Sequence, residues 1–362
     1  MKKRPSFSVL LRLFLLLLSL GFSLWYFLSR NNKALMNSLC DSVVRPYHRF
    51  MGTLTGRVSF SVALWVILAA AAFVLLMLFL ILRRACRPPR SVKKLLESLL
   101  TLSSVASLAF ALFCLFWGVY YYADSFSDRS GLCAEPVSVE TLRAATQTFA
   151  DFCNDCGAQV ERAEDGSLLV TRAELFERSP DIYAGAEKIF PCLAGPSLRA
   201  KPFGLSKAMS YWNYTGFFFP YTGEANLNAD SPICMLPATI AHELAHQRGV
   251  AREDEANFAG ILACLESGDV DYAYSGALLG YTYLGNALYE ADRALWEQVY
   301  STLSAPVVND LRSNNAYWKT YETPIRDMSE KVYTSFLQTY GDSRGMASYG
   351  ACVDLLCAYY SR

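Results

Sequence analysis

Three long apolar stretches without a single charge limit what this chain can fold into: Leu13–Ser29, Val58–Leu82 and Leu99–Tyr122. A helix crosses a bilayer with about 20 apolar residues. The last two stretches exceed that length. The first is shorter, but Arg12 and Arg30 flank it, and long cationic side chains reach back to the interface. Orientation follows from Lys and Arg in the short loops. Lys2, Lys3 and Arg4 precede the first stretch, and Arg83, Arg84, Arg87, Arg90, Lys93 and Lys94 separate the second from the third. Both belong in the cytoplasm. The loop Arg30–Arg57 carries fewer cations over more residues, so it and everything after Tyr122 are expected outside. Trp25 and Tyr26 end the first stretch, and Trp117 with Tyr120, Tyr121 and Tyr122 ends the third, as interfacial aromatic belts do. Met1-Lys2-Lys3-Arg4 also resembles the basic start of a signal peptide, but no small-x-small cleavage site follows, which favours an uncleaved anchor.

The expected organisation is a multi-pass membrane region over 1–122 and an extracytoplasmic domain over 123–362. Residues 1–122 hold 15 Lys and Arg against 2 Asp and Glu, whereas the other 240 hold 18 against 31. An acidic second part argues against nucleic acid as a partner, since phosphate binding needs a basic face. The partners left are the lipid bilayer and a peptide or protein substrate associated with the membrane or envelope.

The chemistry sits in Thr239-Ile240-Ala241-His242-Glu243-Leu244-Ala245-His246-Gln247-Arg248-Gly249. Two of the protein's three histidines stand here, four residues apart. On a helix, that spacing puts both imidazoles on one face, towards a single metal ion. Glu243 lies about 100° further round, beside the metal, where a general base can take a proton from the attacking water. Pro237 can open the helix and Gly249 can end it. A catalytic Zn²⁺ wants three protein ligands and an open position. The only other histidine, His48, is far upstream, so the third ligand should be a carboxylate or thiolate. Glu253 lies seven residues past His246, about 10 Å along an unbroken helix and out of reach. The chain must therefore reverse at Gly249 and start a second helix near Arg252. That returns Glu253 to the metal, with Glu255 as the competing ligand and Asn257, at Glu253 + 4, able to orient a ligand histidine. The alternative is that the acidic cluster is only a solvated first turn favoured by the helix dipole.

This pattern, H-E-x-x-H followed by E-x-x-x-N, is similar to the gluzincin metallopeptidases, where H-E-x-x-H pairs with a downstream E-x-x-x-D. The departures are the short gap and Asn257 in place of Asp. The chain more closely resembles an uncharacterised bacterial membrane family, domain of unknown function 3810. That resemblance rests on Gly216–Asn228, His242–Gly249, Glu253–Phe258 and Tyr274-Ser275-Gly276, and it covers most of the chain. It implies a zinc peptidase-like site and leaves the substrate open. In gluzincins an edge strand above the zinc helix holds an extended peptide. The segment before the active helix suits that role, so Gly223, Glu224, Ala225 and Asn226 form a candidate substrate rim, with a purely structural hairpin as the equal alternative.

The remaining pattern predicts an α+β, mainly α-helical domain. Ser138 can cap a helix to about Asn154, a second helix runs from Arg172 to Arg178, and a third lies near Asp181–Ile189. Met209–Phe219 is β-prone and Pro220–Gly223 reads as a turn. Tyr272-Ala273-Tyr274-Ser275-Gly276 precedes a long helical stretch through Leu295, and Tyr274 or Tyr281 could donate to a tetrahedral oxyanion, although tyrosine stripes more often belong to cores. Further helices follow, with a turn at Tyr340-Gly341-Asp342 and an apolar closing helix over Met346–Tyr360. Eight cysteines after Tyr122 suggest disulfides, with Cys153-Asn154-Asp155-Cys156 as a local pair or buried thiols.

These features converge on a membrane-anchored, gluzincin-like zinc metallopeptidase. His242, His246 and Glu253 would bind Zn²⁺, and Glu243 would act as general base. Two rivals are a non-peptidase zinc hydrolase acting on envelope material and a binding or scaffold protein with a structural metal site, for which Cys264 is the nearest thiol able to close a fourth position.

Overall fold

The apolar stretches form helices Phe7–Ser29, Val62–Cys86 and Val92–Phe116, each long and apolar enough to cross a membrane. The computed structural model describes residues 6–86, 91–339 and 349–360. Lys2, Lys3, Arg4, Arg87, Arg90 and the expected turn at Tyr340-Gly341-Asp342 lie outside the described residues. The second helix begins later than its hydropathy suggests. Its start is set by Ser61, whose hydroxyl accepts from the Leu64 N–H at 3.1 Å. The third ends at Phe116, and Gly118–Tyr122 continues as a turn of 3₁₀ helix. The first and third helices pair through small polar side chains. The Ser19 and Ser107 hydroxyls lie 2.7 Å apart, and the Ser104 hydroxyl donates to the Arg12 carbonyl at 3.0 Å.

The segment between the first two long apolar helices is folded. Helices Lys33–Leu39 and Arg45–Thr55, joined by the π-turn Cys40–Val44, lie against the rest of the protein. Tyr47 donates to the Tyr221 carbonyl at 2.8 Å, and Thr55 donates to the Thr222 carbonyl at 3.2 Å. His48 is buried, with Nδ1 3.3 Å from the Tyr120 hydroxyl.

After the spans the protein is mainly helical. Ser138 caps Val139–Gly157 by accepting from the Thr141 N–H, and Thr171 with Glu174 forms a capping box on Arg172–Arg178. The core gathers around Leu236–Gln247, Glu253–Leu265 and Val270–Ala291. The helical run expected through Leu295 breaks at Asp292, whose extended backbone and side chain cap a separate helix, Arg293–Tyr300. Ala305–Lys319 and Pro324–Thr339 follow. The closing helix Tyr349–Tyr360 buries Cys352, Leu355, Leu356 and Cys357 in the same core.

A small three-stranded sheet sits beside these helices: β1 (Lys201–Pro202), β2 (Gly216–Phe219) and β3 (Glu224–Leu227), in the order β1-β3-β2. β1 runs parallel to β3. β2 runs antiparallel to it, with Gly216 opposite Leu227 and Phe219 opposite Glu224.

No disulfide joins any of the cysteines, all of which are among the described residues, so the bridges expected from their count do not form. Cys153 and Cys156 share one helical turn, where side-chain roots stand about 5–6 Å apart. A disulfide needs them within about 4.5 Å.

Candidate metal centre

Leu236–Gln247 carries Pro237 in its first turn, where the missing N–H costs nothing. Four residues of helical spacing bring the His242 and His246 rings to 4.7 Å between centroids. The chain then reverses. Gly249 takes φ +81°, and a β-carbon there would stand 2.8 Å from the Tyr120 ring. The reversal also orients a ligand. The Val250 carbonyl accepts from His246 Nδ1 at 2.7 Å, which leaves Nε2 as the free donor.

Glu253 opens the returning helix. Its Oε2 lies 3.3 Å from His242 Nε2 and its Oε1 lies 3.6 Å from His246 Nε2. The three donor atoms all fall within 4.8 Å of one another, a group able to hold a metal ion. Bonds of 2.0–2.2 Å in a tetrahedral site separate neighbouring donors by about 3.4 Å, so two imidazoles and a carboxylate at these distances fit zinc. Two buried atoms without a partner, His242 Nδ1 and Glu243 Oε2, complete the polar interior.

The electrostatics follow from burial and this close packing. Burial disfavours charge on His242, but the Glu253 carboxylate outweighs it and lifts the imidazole to about 9. Burial pulls His246 down to about 4. Burial would raise Glu253, yet His246, His242 and a hydrogen bond from Tyr333 bring it to about 2. Glu243 is pushed up to about 8 by burial. Among the protein's own groups, the pair therefore rests as an ionised Glu253 holding a proton on His242. A divalent cation on Nε2 competes for that position.

The other expected site residues divide. Asn257 is buried one turn beyond Glu253 and stands beside His242, where it favours the charged ring. Glu255 does not face the metal group. Its two oxygens accept from the Phe126 and Ser127 N–H groups at 2.8 and 3.0 Å, capping the short helix Phe126–Ser130. Tyr274 is also turned away: its hydroxyl donates to Asp310 at 2.6 Å and accepts from Arg162 at 3.2 Å. Tyr281 is buried in the core. Cys264 is buried too, with its thiol directed at the Pro237 carbonyl.

Gly223, Glu224, Ala225 and Asn226 do not offer a free edge, because β3 is the central strand. Glu224 accepts from the Val62 and Ala63 N–H groups at 3.0 and 2.8 Å and pairs with Lys201 at 2.6 Å. Asn226 accepts from Ser61 at 2.6 Å. This segment ties the sheet to the start of the second span. The strand that meets the metal helix is β2. A β-carbon on Gly216 would lie 2.6 Å from the Glu243 carboxylate, so only glycine lets the strand pass that close.

β2 forms one wall of a cleft of about 230 Å³ over His242, Glu243, His246 and Glu253. Trp117 and Tyr121, from the end of the third span, form a second wall. Tyr333 and Phe336, from Pro324–Thr339, form a third. The Tyr333 hydroxyl donates to Glu253 Oε1 at 2.5 Å. Sequence reasoning missed Gly216, Trp117 and Tyr333. A glycine inside a β-prone aromatic run was the available signal for the first. Tyr333 follows Glu253 by 80 residues with no spacing to mark it.

A family model described as protein of unknown function (DUF3810) matches residues 40–357. No curated protein and no solved structure matches the chain.

Proposed function

The chain belongs to the DUF3810 family of proteins of unknown function, and from its convergent donor set we propose that it is a membrane-anchored zinc metallopeptidase. The observation that carries the reading is the convergence of His242, His246 and Glu253 with the Glu243 carboxylate beside them, in a cleft walled by a strand edge.

His242, His246 and Glu253 would hold the ion through Nε2, Nε2 and a carboxylate oxygen. Zinc so bound supplies Lewis acidity towards a scissile carbonyl and lowers the pKa of water. A divalent cation held beside Glu243 would oppose the burial that raises its pKa, so the ionised carboxylate would take the proton of the attacking water and pass it to the departing amine nitrogen as the C–N bond breaks. Its oxygen without a partner and its burial keep that proton transfer out of bulk solvent. The Val250 carbonyl fixes the His246 ring. The outer edge of β2, unpaired among the described residues, is suited to an extended peptide backbone, which would lay the substrate across Glu243. Tyr333 stands where a hydroxyl can donate to the oxyanion of a tetrahedral intermediate. The gluzincin likeness belongs to this proposal, as does the placement of the domain outside the cytoplasm, which a reporter fusion after Tyr122 tests.

The direct experiment uses the full chain in detergent. Wild type is expected to hold one zinc, and His246→Ala and Glu253→Ala to lose it. Glu243→Gln should keep zinc and lose about 10³-fold in peptide hydrolysis, in the range for removing a general base. A folded wild type without zinc affinity, or a Glu243→Gln enzyme as active as wild type, would overturn the reading.

A further inference from the structure

The metal cleft is built against the membrane region. The Trp117 ring, one residue past the third span, stands 5.5 Å from the His246 ring. Phe336, on the opposite wall, packs on Phe113 inside that span at 5.9 Å and on Tyr121 at 6.2 Å. The polar zone of each leaflet is only about 5–7 Å deep, so a centre this close to the end of a span lies at headgroup level.

The direction of β2 adds to this. Its first residue, Gly216, lies against Glu243, and its last, Phe219, leads into the turn that ends at Gly223. Within that turn the Tyr221 hydroxyl donates to the Ala109 carbonyl at 2.9 Å. Ala109 is seven residues before Phe116, roughly 10 Å further into the span at 1.5 Å per residue. β2 therefore descends from the metal group towards the lipid over four residues, roughly 13 Å. Its outer edge is unpaired among the described residues. A backbone entering the interface needs its polar groups paired, and a free strand edge offers that pairing.

We infer that the polypeptide cut here is itself anchored in the bilayer, with the scissile bond in the stretch that emerges from its span, about four to eight residues from the lipid at strand spacing. This rests on the peptidase reading. The emerging segment lies along β2, with one end held at lipid depth and its carbonyl carbon presented to Glu243. Water adds to that carbon, the C–N bond breaks, and the proton taken by Glu243 leaves on the new amine. Trp212, Phe217 and Phe336 line the path, which suits apolar side chains around the cut.

The test reconstitutes the full chain with zinc in phosphatidylcholine vesicles. Three probes carry the same randomised ten-residue segment: fused directly to a leucine-rich span, fused through a twenty-residue Gly-Ser spacer, and free in solution. Cut sites and rates are read by mass spectrometry beside Glu243→Gln. The directly fused probe should be cut at least about 100-fold faster than the free one, the scale of gain tethering brings. Cuts should cluster four to eight residues from the span. The spacer probe, equally confined to the membrane, should lose most of that gain within its randomised segment. Equal rates for the spacer and direct probes, or for the free and direct probes, would overturn the membrane-proximal substrate and leave the peptidase intact. No Glu243-dependent cut in any probe would overturn the peptidase and this inference together.

Discussion

At the scale of single residues, the site depends on which of several equivalent candidates each neighbour selects. Spacing favoured Glu253 and left Glu255 as its competitor. The choice is made by Phe126 and Ser127, more than a hundred residues upstream, whose N–H groups take up the Glu255 carboxylate. The His242–Glu243–His246 geometry was legible because it lies within one helix, where spacing is distance. The proposed oxyanion donor was not, because Tyr333 reaches the site only through tertiary packing. This makes a paired prediction. At saturating zinc, Tyr333→Phe should lower kcat about 10²-fold with KM little changed, as loss of one oxyanion donor does. Tyr274→Phe should leave kcat alone and cost about 1 kcal/mol of stability through its lost bond to Asp310. Steady-state kinetics and thermal unfolding of the two variants separate the roles. A kinetic defect in Tyr274→Phe alone would reverse them.

At the scale of elements, helix limits followed from local chemistry. Ser138 caps as expected, and Thr171, just before the expected helix Arg172–Arg178, caps it as well. The exchange of roles between β2 and β3 was not visible, because it depends on β1, two residues long and more than twenty residues upstream of β3. Once β1 pairs with one side of β3, the free edge passes to β2. Gly216→Ala tests that edge. Its β-carbon must displace the Glu243 carboxylate, and a shift of about 1 Å at a reacting group costs roughly 10²-fold in rate. Zinc content should not change, so an unaltered rate would show that β2 does not constrain Glu243. Glu224→Ala tests β3. Lys201 would be left buried with only the Thr55 carbonyl, and the second span would lose its N-terminal acceptor. A loss of about 3–5 kcal/mol is expected in detergent unfolding, largely recovered when Lys201→Met is combined with Glu224→Gln.

At the scale of the whole molecule, the long apolar helices, the folded segment between them and the strand beside the candidate site meet at His48. Its ring lies 5.0 Å from Phe218 of β2, 5.8 Å from Tyr120 and 6.3 Å from Phe116. Hydropathy reveals the apolar helices but not this junction, since a connecting segment with two short helices carries no sign of what it will cover. Burial lowers His48 to about 4, against about 6.5 for a free imidazole. The sign follows from proton counting. Below pH 6.5 the unfolded chain binds a proton that the folded chain refuses, so stability is complete above that pH and declines as pH falls towards 4. The decline reaches about 2 kcal/mol at pH 5 and about 3 kcal/mol at pH 4. His48→Phe fills the aromatic junction with a ring that does not titrate. The ligand histidines and other acid-sensitive groups titrate in both proteins, so the difference between them isolates His48. Unfolding midpoints of the two, measured from pH 7 to 4.5 in one detergent, should diverge progressively, with wild type losing more. Parallel curves would mean that the junction opens to water without cost, and that the folded segment is not held to the catalytic region through this ring.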